Sequence, residues 1–563
     1  MPRRPRRFRR GLFVFAALLL GSVLALDWNL DAVTSWSGFR AALERLSGYL
    51  GGFAAPDLST AMLARCGTLA LETVSVALLG TALGLALAIP LALGSARCVV
   101  LGDGRAGGLA AVPARLLLEA CRLALDAMRG VPDFLWAVLL ANITGVNAVT
   151  GMLAIGIHVA GILGKVLGEQ WDNVDPARYE ALRSTGAGRL QVFAYGVQPL
   201  AARALLSFVL MRTECAVRNA SVIGVVGGGG LGAALWDEYS DGNWARMATV
   251  LLSLLAVTTV TDLGANLLRR QLRVDPNHPR IVRPPDRRTA LRRRGFGLAV
   301  VAAVLAGALA ATWPAIERAY GELARVEWAF VREFAAGLAV PDLSPATLRS
   351  VLGHCLVPLA LGVTATALAA ASAALLAFPG SVAFQLEAAR FTGERLAPLA
   401  RARRAALVVA TRFTALVLRG IPEVAWVVLL AVFFRQGITP CVVAVALHGT
   451  GVLQRVFTET IDDLPYRTLE HGHGPARAQL FAWAAVPRAL PDWRTYTFFQ
   501  FEVNVRIGIT LGLVGAGGLG DRFDSNLKFR EFAVASTYLC AMVLLTVAID
   551  RTSRWLQLRR QRC

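Results

Sequence analysis

The chain has 563 residues, of which 55% are hydrophobic and 17% charged, and its formal net charge is +20. Soluble proteins average about 25% charged residues and disordered chains are poor in hydrophobic ones, so the composition excludes disorder and argues against a soluble enzyme. The excess of Lys and Arg lies in short runs beside apolar segments, as in the cytoplasmic flanks of membrane helices, which argues against nucleic-acid binding.

Apolar segments along the chain are long enough to cross a lipid bilayer, which takes about 20 mostly apolar residues. They predict an all-α polytopic membrane protein with six spans in each half, and the glycine-rich run near 220–232 leaves re-entry open as an alternative to crossing. The first segment also resembles a cleaved signal peptide, but its counterpart lies mid-chain, so an uncleaved helix is favoured. The predicted spans are 11–27, 67–96, 113–142, 145–167, 201–226, 246–268, 295–313, 350–378, 405–433, 437–457, 496–514 and 533–550.

Basic segments predict which side of the membrane each connection faces. The N-terminal arginine run, the basic C-terminal tail and the segment 269–294, which holds ten Arg and two Asp, place both termini in the cytoplasm. Four prolines in 269–294 predict an extended linker. The segments 28–62 and 314–346 are then external, and their tryptophans suit interfacial helices.

The chain contains two copies of one unit, offset by 285 residues at the first match, 290 in the middle and 288 at the end. Six matches in constant order indicate a tandem duplication. We therefore expect a first half at 1–268, a cytoplasmic linker at 269–294 and a second half at 295–563. The matching pairs are Pro56-Asp57-Leu58-Ser59 with Pro341-Asp342-Leu343-Ser344, Arg129-Gly130-Val131-Pro132-Asp133 with Arg419-Gly420-Ile421-Pro422-Glu423, His158 with His448, Glu169 with Glu459, Glu214-x-x-x-Arg218 with Glu502-x-x-x-Arg506, and the glycine-rich runs 227–232 and 515–520.

Two predicted cytoplasmic loops, 168–200 and 458–488, occupy the same place in each half. The first predicts a short polar helix, a glycine break, an amphipathic helix and a proline before the next span. A plain solvated connector is the alternative, but recurrence on the same face favours docking of a soluble partner. The residues that define the two loops are Glu180, Ala181, Gly186 and Pro199 in the first and Glu470, Gly474 and Pro487 in the second.

The first loop resembles the EAA loop of bacterial ABC-importer permeases, which has Glu-Ala, then four residues, a Gly and a distal Pro. In that family the loop is the coupling helix that sits in a cleft of the ATPase subunit, so the resemblance implies this role for both loops. The second loop departs from the pattern, because Glu470 and Gly474 are four residues apart instead of six and a His-Gly-His-Gly run intervenes. The contact of the second loop with its ATPase subunit is therefore expected to differ from that of the first.

The terminal patterns 214–232 and 502–520 and the Arg-Gly-x-Pro-acid elements are similar to those of phosphonate-type permeases. The resemblance implies a type I ABC-importer permease fold in the bacterial inner membrane and transport of a phosphonate or related phosphorus oxyanion by alternating access. It also implies two cytoplasmic ABC ATPase subunits and a periplasmic phosphonate-type substrate-binding protein as partners. The sequence has no G-x-x-x-x-G-K-[ST] loop, so ATP hydrolysis is expected on a separate subunit and no catalytic residue is assigned.

Charged residues inside predicted spans are functional candidates, because a charge in the bilayer is costly. Glu214 and Arg218 are four residues apart, hence on one helix face, and Glu502 and Arg506 repeat the spacing. In one interpretation the arginines face the pathway and attract an oxyanion, whose geometry suits a planar guanidinium. In the other interpretation, each pair is an internal salt bridge that locks its span to the neighbouring helix.

The Arg-Gly-x-Pro-acid elements are predicted kinks, because proline interrupts helical hydrogen bonding. Each is either a bending point beside the pathway, with its Arg attracting anions, or an ordinary kink with an Arg that extends to the interface. The residues concerned are Arg129 and Pro132 in the first half and Arg419 and Pro422 in the second, with Asp133 and Glu423 beside them.

His158 and His448 are interpreted as packing residues, because the sequence identifies no partner for either. The glycine-rich runs lack the lysine of a nucleotide-binding loop, so close helix packing or a flexible gate turn is favoured. The eight scattered cysteines form no Cys-x-x-Cys or Cys/His cluster, so we expect no metal and no cofactor.

Three rival functions remain open. The first is an ABC permease for another solute, such as phosphate, phosphite or an amino acid. The second is an ion-coupled secondary transporter, although such proteins often have inverted repeats and this repeat runs in one direction. The third is a membrane enzyme, which is disfavoured because no nucleophile–base pair is evident.

Overall fold

The computed structural model describes residues 6–101, 112–224, 228–272, 287–324, 326–387, 397–464 and 476–561. Every regular element within these ranges is a helix, so the predicted all-α class is confirmed. The physical reason is that a helix satisfies its own backbone hydrogen bonds, and the bilayer core offers no water to satisfy them.

The α-helices carry the labels α1 to α24 in chain order. Those before residue 273 are α1 (Arg6–Ala25), α2 (Asp31–Thr34), α3 (Trp36–Ala54), α4 (Thr60–Ser95), α5 (Arg97–Val100), α6 (Val112–Gly130), α7 (Asp133–Thr144), α8 (Ala148–Asp172), α9 (Glu180–Ser184), α10 (Arg189–Val192), α11 (Gln198–Ile223), α12 (Gly230–Ser240) and α13 (Trp244–Leu272). Those after residue 286 are α14 (Arg287–Leu323), α15 (Trp328–Ala339), α16 (Pro345–Gly380), α17 (Val382–Gln385), α18 (Pro398–Gly420), α19 (Glu423–Phe434), α20 (Ile438–Asp462), α21 (Arg477–Leu480), α22 (Val486–Leu511), α23 (Leu519–Lys528) and α24 (Phe532–Gln561).

Within the described ranges, eight helices are long and apolar enough to cross a membrane, and the number is ten if each of two bent pairs is one span. In one pair α18 and α19 meet at 95°, and in the other the helical stretch Arg477–Ala516 meets α23 at 57°. Two of the twelve predicted spans lie outside this count. They are 11–27, where the apolar helix is the short Phe15–Ala25, and 113–142, which is divided between α6 and α7.

The chain folds into two compact units, which we call the first body (Gly52–Glu333) and the second body (Met1–Gly51 with Phe334–Cys563). These bodies differ from the halves predicted from the repeat. The N-terminal helices of the first half belong to the second body, and α14, the first helix of the second half, belongs to the first body. In the first body α14 packs on α4, and in the second body α1 packs on α16. The predicted halves 1–268 and 295–563 thus remain a prediction about the duplication, whereas the packing follows a different division.

Small residues allow the central helices of the first body to approach closely. A Cβ atom added at Gly80 of α4 would lie 2.9 Å from Ile155 Cγ2 of α8, and one added at Gly84 would lie 2.9 Å from the carbonyl oxygen of Gly156. Lipid tails are as apolar as leucine, so close backbone packing contributes more to helix association than hydrophobicity does.

The second body uses the same device with alanine. Ala369, Ala373 and Ala377 recur every fourth residue along α16, and each is fully buried in a cluster with α20 and α22. Beside them the Phe457 and Trp493 rings are stacked, with centroids 4.3 Å apart, and Trp493 Nε1 donates to the carbonyl oxygen of Phe457 at 3.2 Å.

Polar contacts fix the N-terminal segment in the second body. The guanidinium of Arg45 on α3 donates to the carbonyl oxygens of Val432 and Phe433, both at 3.0 Å, and the Asn29 amide donates to Thr439 Oγ1 at 2.9 Å. Arg45 therefore binds two of the carbonyls left free where α19 ends.

The Pro-Asp-Leu-Ser motif starts α4 in the first half and α16 in the second. Ser344 caps α16 by accepting from the Thr347 amide at 3.3 Å, as Ser59 caps α4. The Asp342 amide donates to the carbonyl oxygen of Ala533 at 3.0 Å, and this docks the motif on α24. Hydrogen bonds from the Thr347 hydroxyl and then from Ser344 hold the pKa of Asp342 below its usual value.

The prediction that the linker 269–294 is extended is wrong at both of its described ends. Residues 269–272 continue α13 and residues 287–294 begin α14, because leucine and arginine favour helix and the prolines lie between these ends.

Candidate functional site

The Arg-Gly-x-Pro-acid element forms a complete helix break in each half, where a kink within one span was predicted. Pro132 and Pro422 are buried and have extended backbone ψ values of 146° and 152°. Proline lacks an N–H and also disfavours helix at the residue before it, so α6 and α18 end at a glycine. The next helix begins at the acid, Asp133 or Glu423, where a negative charge complements the helix dipole.

A histidine anchors each break. Nδ1 of His158 on α8 donates to the carbonyl oxygen of Val131 at 3.0 Å, and Nδ1 of His448 on α20 donates to that of Ile421 at 3.2 Å. Both histidines are buried, with 4% of the residue exposed. The break frees these carbonyls from helical bonding, and a buried carbonyl needs a donor. The interpretation of the histidines as packing residues without an identified partner therefore misses a partner that the fold supplies.

A tryptophan completes the anchor. Trp136 Nε1 donates to the carbonyl oxygen of Met128 at 3.1 Å, and Trp426 Nε1 donates to that of Leu418 at 3.1 Å. Each indole therefore folds back from the start of the second helix to bind the end of the first. Sequence analysis did not single out these tryptophans, although their 290-residue offset, shared with the histidines, was the available signal.

Each break also packs directly against the helix that carries its histidine. A Cβ added at Gly161 would lie 2.5 Å from the Arg129 amide nitrogen, and one added at Gly451 would lie 2.6 Å from the Arg419 amide nitrogen. Real Cβ atoms do not approach backbone so closely, so glycine is required at both positions. The breaks are therefore held rigidly on α8 and α20.

The charge around the two break arginines differs between the halves. Arg129 Nε lies 2.8 Å from Asp126, and Lys165 lies 3.3 Å from the same carboxylate. At the position equivalent to Asp126 the second half has Leu416. The Asp126 carboxylate is therefore not repeated at the equivalent position of the second half.

The predicted Glu–Arg pair forms in the second half, where Arg506 Nη2 lies 2.9 Å from Glu502 Oε1 and the two side chains are 19% and 13% exposed. Glu214 and Arg218 occupy the equivalent places on α11, and both are partly buried. The Arg218 Nε atom is buried without a hydrogen-bond partner among the described residues. Asn219, the next residue, donates to Asp133, so the first body brings the Glu–Arg helix and the break together.

The glycine-rich runs form tight turns that only glycine adopts readily. Gly229 and Gly230 have φ values of 78° and 69°, and Gly517 and Gly518 have 73° and 80°. In the first body the turn is fixed to α4, because the Leu231 amide donates to Thr73 Oγ1 at 3.0 Å. Gly227, which belongs to the predicted run, lies outside the described residues.

The first predicted coupling loop is an exposed, compact segment. Glu180 begins α9 and lies 3.2 Å from Arg183, and Ala181 is exposed beside it. Gly186 ends the segment with φ +81°, and a Cβ there would meet nothing within 4 Å. Pro199 is the second residue of α11. The predicted short helix and glycine break are therefore present.

In the second loop, Glu470 and Gly474 lie outside the described residues, and Pro487 is the second residue of α22. Before each of these prolines the helix takes a π-helical turn, at Phe193–Val197 and Phe481–Ala485. Tyr195 and Trp483 hold the same position in these turns and are 77% and 80% exposed. An exposed aromatic side chain therefore precedes the proline of each predicted coupling loop.

Residues 105–274 match the family described as binding-protein-dependent transport system inner membrane component. The chain is 28% identical over 501 residues to the phosphate-import permease protein PhnE of Mycolicibacterium smegmatis, covering 88% of this chain and 86% of that protein. No solved structure matches the chain.

Two shorter relatives match part of the chain. The phosphite transport system permease protein PtxC of Stutzerimonas stutzeri is 28% identical over 260 residues, which are 46% of this chain and 88% of that protein. PhnE2 of Escherichia coli, whose name assigns it to a cryptic phosphonate transport system, is 34% identical over 119 residues, which are 21% of this chain and 98% of that protein.

One shorter permease thus accounts for about half of this chain, as the internal repeat predicts. The similarity to the mycobacterial protein extends across both halves. With its apolar helices and duplicated breaks, the chain belongs to the family of binding-protein-dependent transport system inner membrane components, the permease subunits of ABC importers.

Proposed function

We propose that this chain forms the whole translocation path of an ATP-driven importer for phosphate, phosphite or phosphonates. The observation that carries the proposal is the similarity over 501 residues to a protein named as a phosphate-import permease, which includes both halves. Relatives named for phosphite and phosphonate transport match single halves or less. The substrates share a tetrahedral phosphorus with several anionic or polar oxygens.

Arginine is suited to such a substrate, because its planar guanidinium donates two parallel hydrogen bonds to phosphorus oxygens. The arginines assigned to the path or gate are Arg129, Arg218, Arg419 and Arg506, with Pro132, Pro422, Glu214 and Glu502 shaping their surroundings. The paired Glu502 in this proposal orients Arg506, and an approaching oxyanion competes with the carboxylate for the guanidinium.

Two cytoplasmic ABC ATPase subunits would supply the energy, one at each coupling loop, and a periplasmic binding protein would deliver the substrate. The exposed α9 and the aromatic residues Tyr195 and Trp483 support docking on this face. Closure of the ATPase pair would move both loops and change the access of the path. Both termini then lie in the cytoplasm, in keeping with the basic runs at either end.

The proposal is tested by reconstituting the chain with its ATPase and binding protein in proteoliposomes. ³²P-phosphate uptake is measured with and without ATP, and phosphite and methylphosphonate are added as competitors. ATP-dependent uptake that these anions inhibit supports the proposal. Uptake that proceeds on an ion gradient without ATP would identify a secondary transporter, and ATP-driven uptake of an amino acid alone would reject the phosphorus substrate.

A further inference from the structure

A carboxylate at the end of the fourth long helix holds a short helix in each half. Asp172, the last residue of α8, accepts from the Cys98 amide of α5 at 2.9 Å. Asp462, the last residue of α20, accepts from Ser381 Oγ at 2.5 Å and from the Ala383 amide of α17 at 3.2 Å. The first amides of a helix have no partner within it, so the carboxylate fixes the short helix to the span.

An arginine ties the third helix to the same point. Arg412 of α18 donates to the carbonyl oxygen of Gly380 at 3.0 Å and lies 2.8 Å from Asp462. Arg122 of α6 donates to the carbonyl oxygen of Ser95 at 3.1 Å and lies 3.7 Å from Asp172. Each Arg–Asp pair therefore joins the ends of two long helices, the interior of a third and one short helix.

The short helix is in turn bound by the last part of each predicted coupling loop. Arg189, which begins α10, donates to the carbonyl oxygen of Val100 at 3.2 Å. Arg477, which begins α21, donates to the carbonyl oxygen of Phe384 at 3.1 Å and to Gln385 Oε1 at 3.3 Å. The short helix thus contacts the membrane helices at its start. Its end contacts the predicted coupling loop.

We infer that Arg122 with Asp172 and Arg412 with Asp462 are positioning residues, which transmit movement of the coupling segments to the membrane helices. The inference rests on the proposed function, because it requires an ATPase that moves these segments. We call each pair, with its short helix, a joint. Equivalent contacts occur in both halves, although the residue of the short helix whose amide donates is Cys98 in one and Ala383 in the other.

Stability alone is a weak reason for such a pair. Ion pairs exposed to solvent contribute little to stability, and Arg412 is 45% exposed. Geometry is the stronger reason, because charge-assisted bonds to backbone groups fix an orientation as well as a distance.

The test compares Asp172→Asn, Asp462→Asn and the double variant with the native chain, in complex with the ATPase and binding protein. Asparagine keeps one acceptor oxygen but loses the charge that holds the arginine. We expect ³²P-phosphate uptake to fall about tenfold in the double variant while ATP hydrolysis stays within about twofold of native, as for a lost link between two intact steps. The matched control is Glu459→Gln, which removes the 2.9 Å ion pair of Arg455 and Glu459 on the same helix α20 and leaves both activities unchanged.

A second measurement does not depend on transport. Hydrogen exchange is measured on the isolated chain in detergent. It reports on the backbone amides of the two short helices, 97–100 and 382–385, and of the first predicted coupling loop, 176–192. In the double variant these amides should exchange faster than in the native chain and in Glu459→Gln. Unchanged exchange, or unchanged uptake, overturns the inference.

The outcomes separate this inference from the proposed function. If the native complex takes up no phosphate with ATP, the proposed function fails, and the exchange data still decide whether the joint orders the coupling segment. If uptake and ATP hydrolysis fall in parallel and the ATPase no longer co-purifies, the joint supports assembly and transmits no movement.

Discussion

His448 and Glu423 form a buried pair in which Nε2 lies 3.1 Å from the carboxylate oxygen Oε1. Nδ1 of the same imidazole donates to the carbonyl oxygen of Ile421, and a carbonyl only accepts. The second ring nitrogen, Nε2, therefore faces the Glu423 carboxyl group. The side chains are 6% and 14% exposed, so water does not replace either partner.

Replacing His448 by Leu should destabilise the chain, because the Ile421 carbonyl and the Glu423 carboxyl both lose a buried partner. We expect a loss of about 2–4 kcal/mol in the free energy of unfolding, measured by denaturant unfolding in detergent. His448→Leu combined with Glu423→Leu should lose less than the two single variants together. Strictly additive losses would show that the two side chains do not interact.

Replacing Gly451 by Ala should disturb the break, because the new methyl group would lie 2.6 Å from the Arg419 amide nitrogen. Forced overpacking of this kind costs about 1–3 kcal/mol, and the unfolding free energy should fall by that amount. Gly353→Ala is the matched control, because its Cβ meets nothing within 4 Å in the helix α16. That control should be neutral or stabilising by about 0.5–1 kcal/mol, and equal losses at both sites would contradict the close packing.

Replacing Thr347 by Val should make stability depend less on pH. The Thr347 hydroxyl lowers the pKa of Asp342, and a lowered pKa stabilises the folded state above the ordinary value of the free group. This contribution is lost as the pH falls through the folded pKa. The native chain should therefore have the higher melting temperature at pH 7, and the difference should shrink as the pH falls below the ordinary Asp pKa of about 3.9. A difference that persists unchanged in acid would assign the effect to the hydroxyl alone.

Replacing Arg506 by Gln should weaken substrate uptake if this arginine meets the anion. We expect the phosphate concentration for half-maximal uptake to rise about tenfold, as for the loss of one charge-assisted hydrogen bond. Glu502→Gln keeps the guanidinium and should leave that concentration unchanged or lower. Equal loss of stability in both variants, with unchanged half-saturation, would favour the internal salt bridge. Arg455→Gln, which removes the cation of an exposed pair, controls for charge.

The sequence predicted the duplication, most spans and the place of each break, because these depend on local composition, proline and repetition. It did not predict how sharp the breaks are. The 95° angle between α18 and α19 depends on Gly451 and His448, which contact the break from a distant helix. The partner of Trp426 likewise exists only after α18 and α19 have met, and those of Asp462 only after three helices have met.

The division into bodies was also beyond sequence analysis. Hydropathy identifies α1 and α14 as helices of the right kind, but an apolar helix carries no local mark of the bundle that it joins. Arg45 shows the difficulty, because its acceptors Val432 and Phe433 lie more than half the chain away.

The exchanged first helices have a consequence for the fate of a nicked molecule. A protease cut between residues 273 and 286 would yield two polypeptides, each of which contributes helices to both bodies. The N-terminal piece would still lend residues 1–51 to the second body, and the C-terminal piece would still lend residues 287–333 to the first. Each body therefore contains helices from both sides of the cut, and neither piece alone holds all the helices of either body.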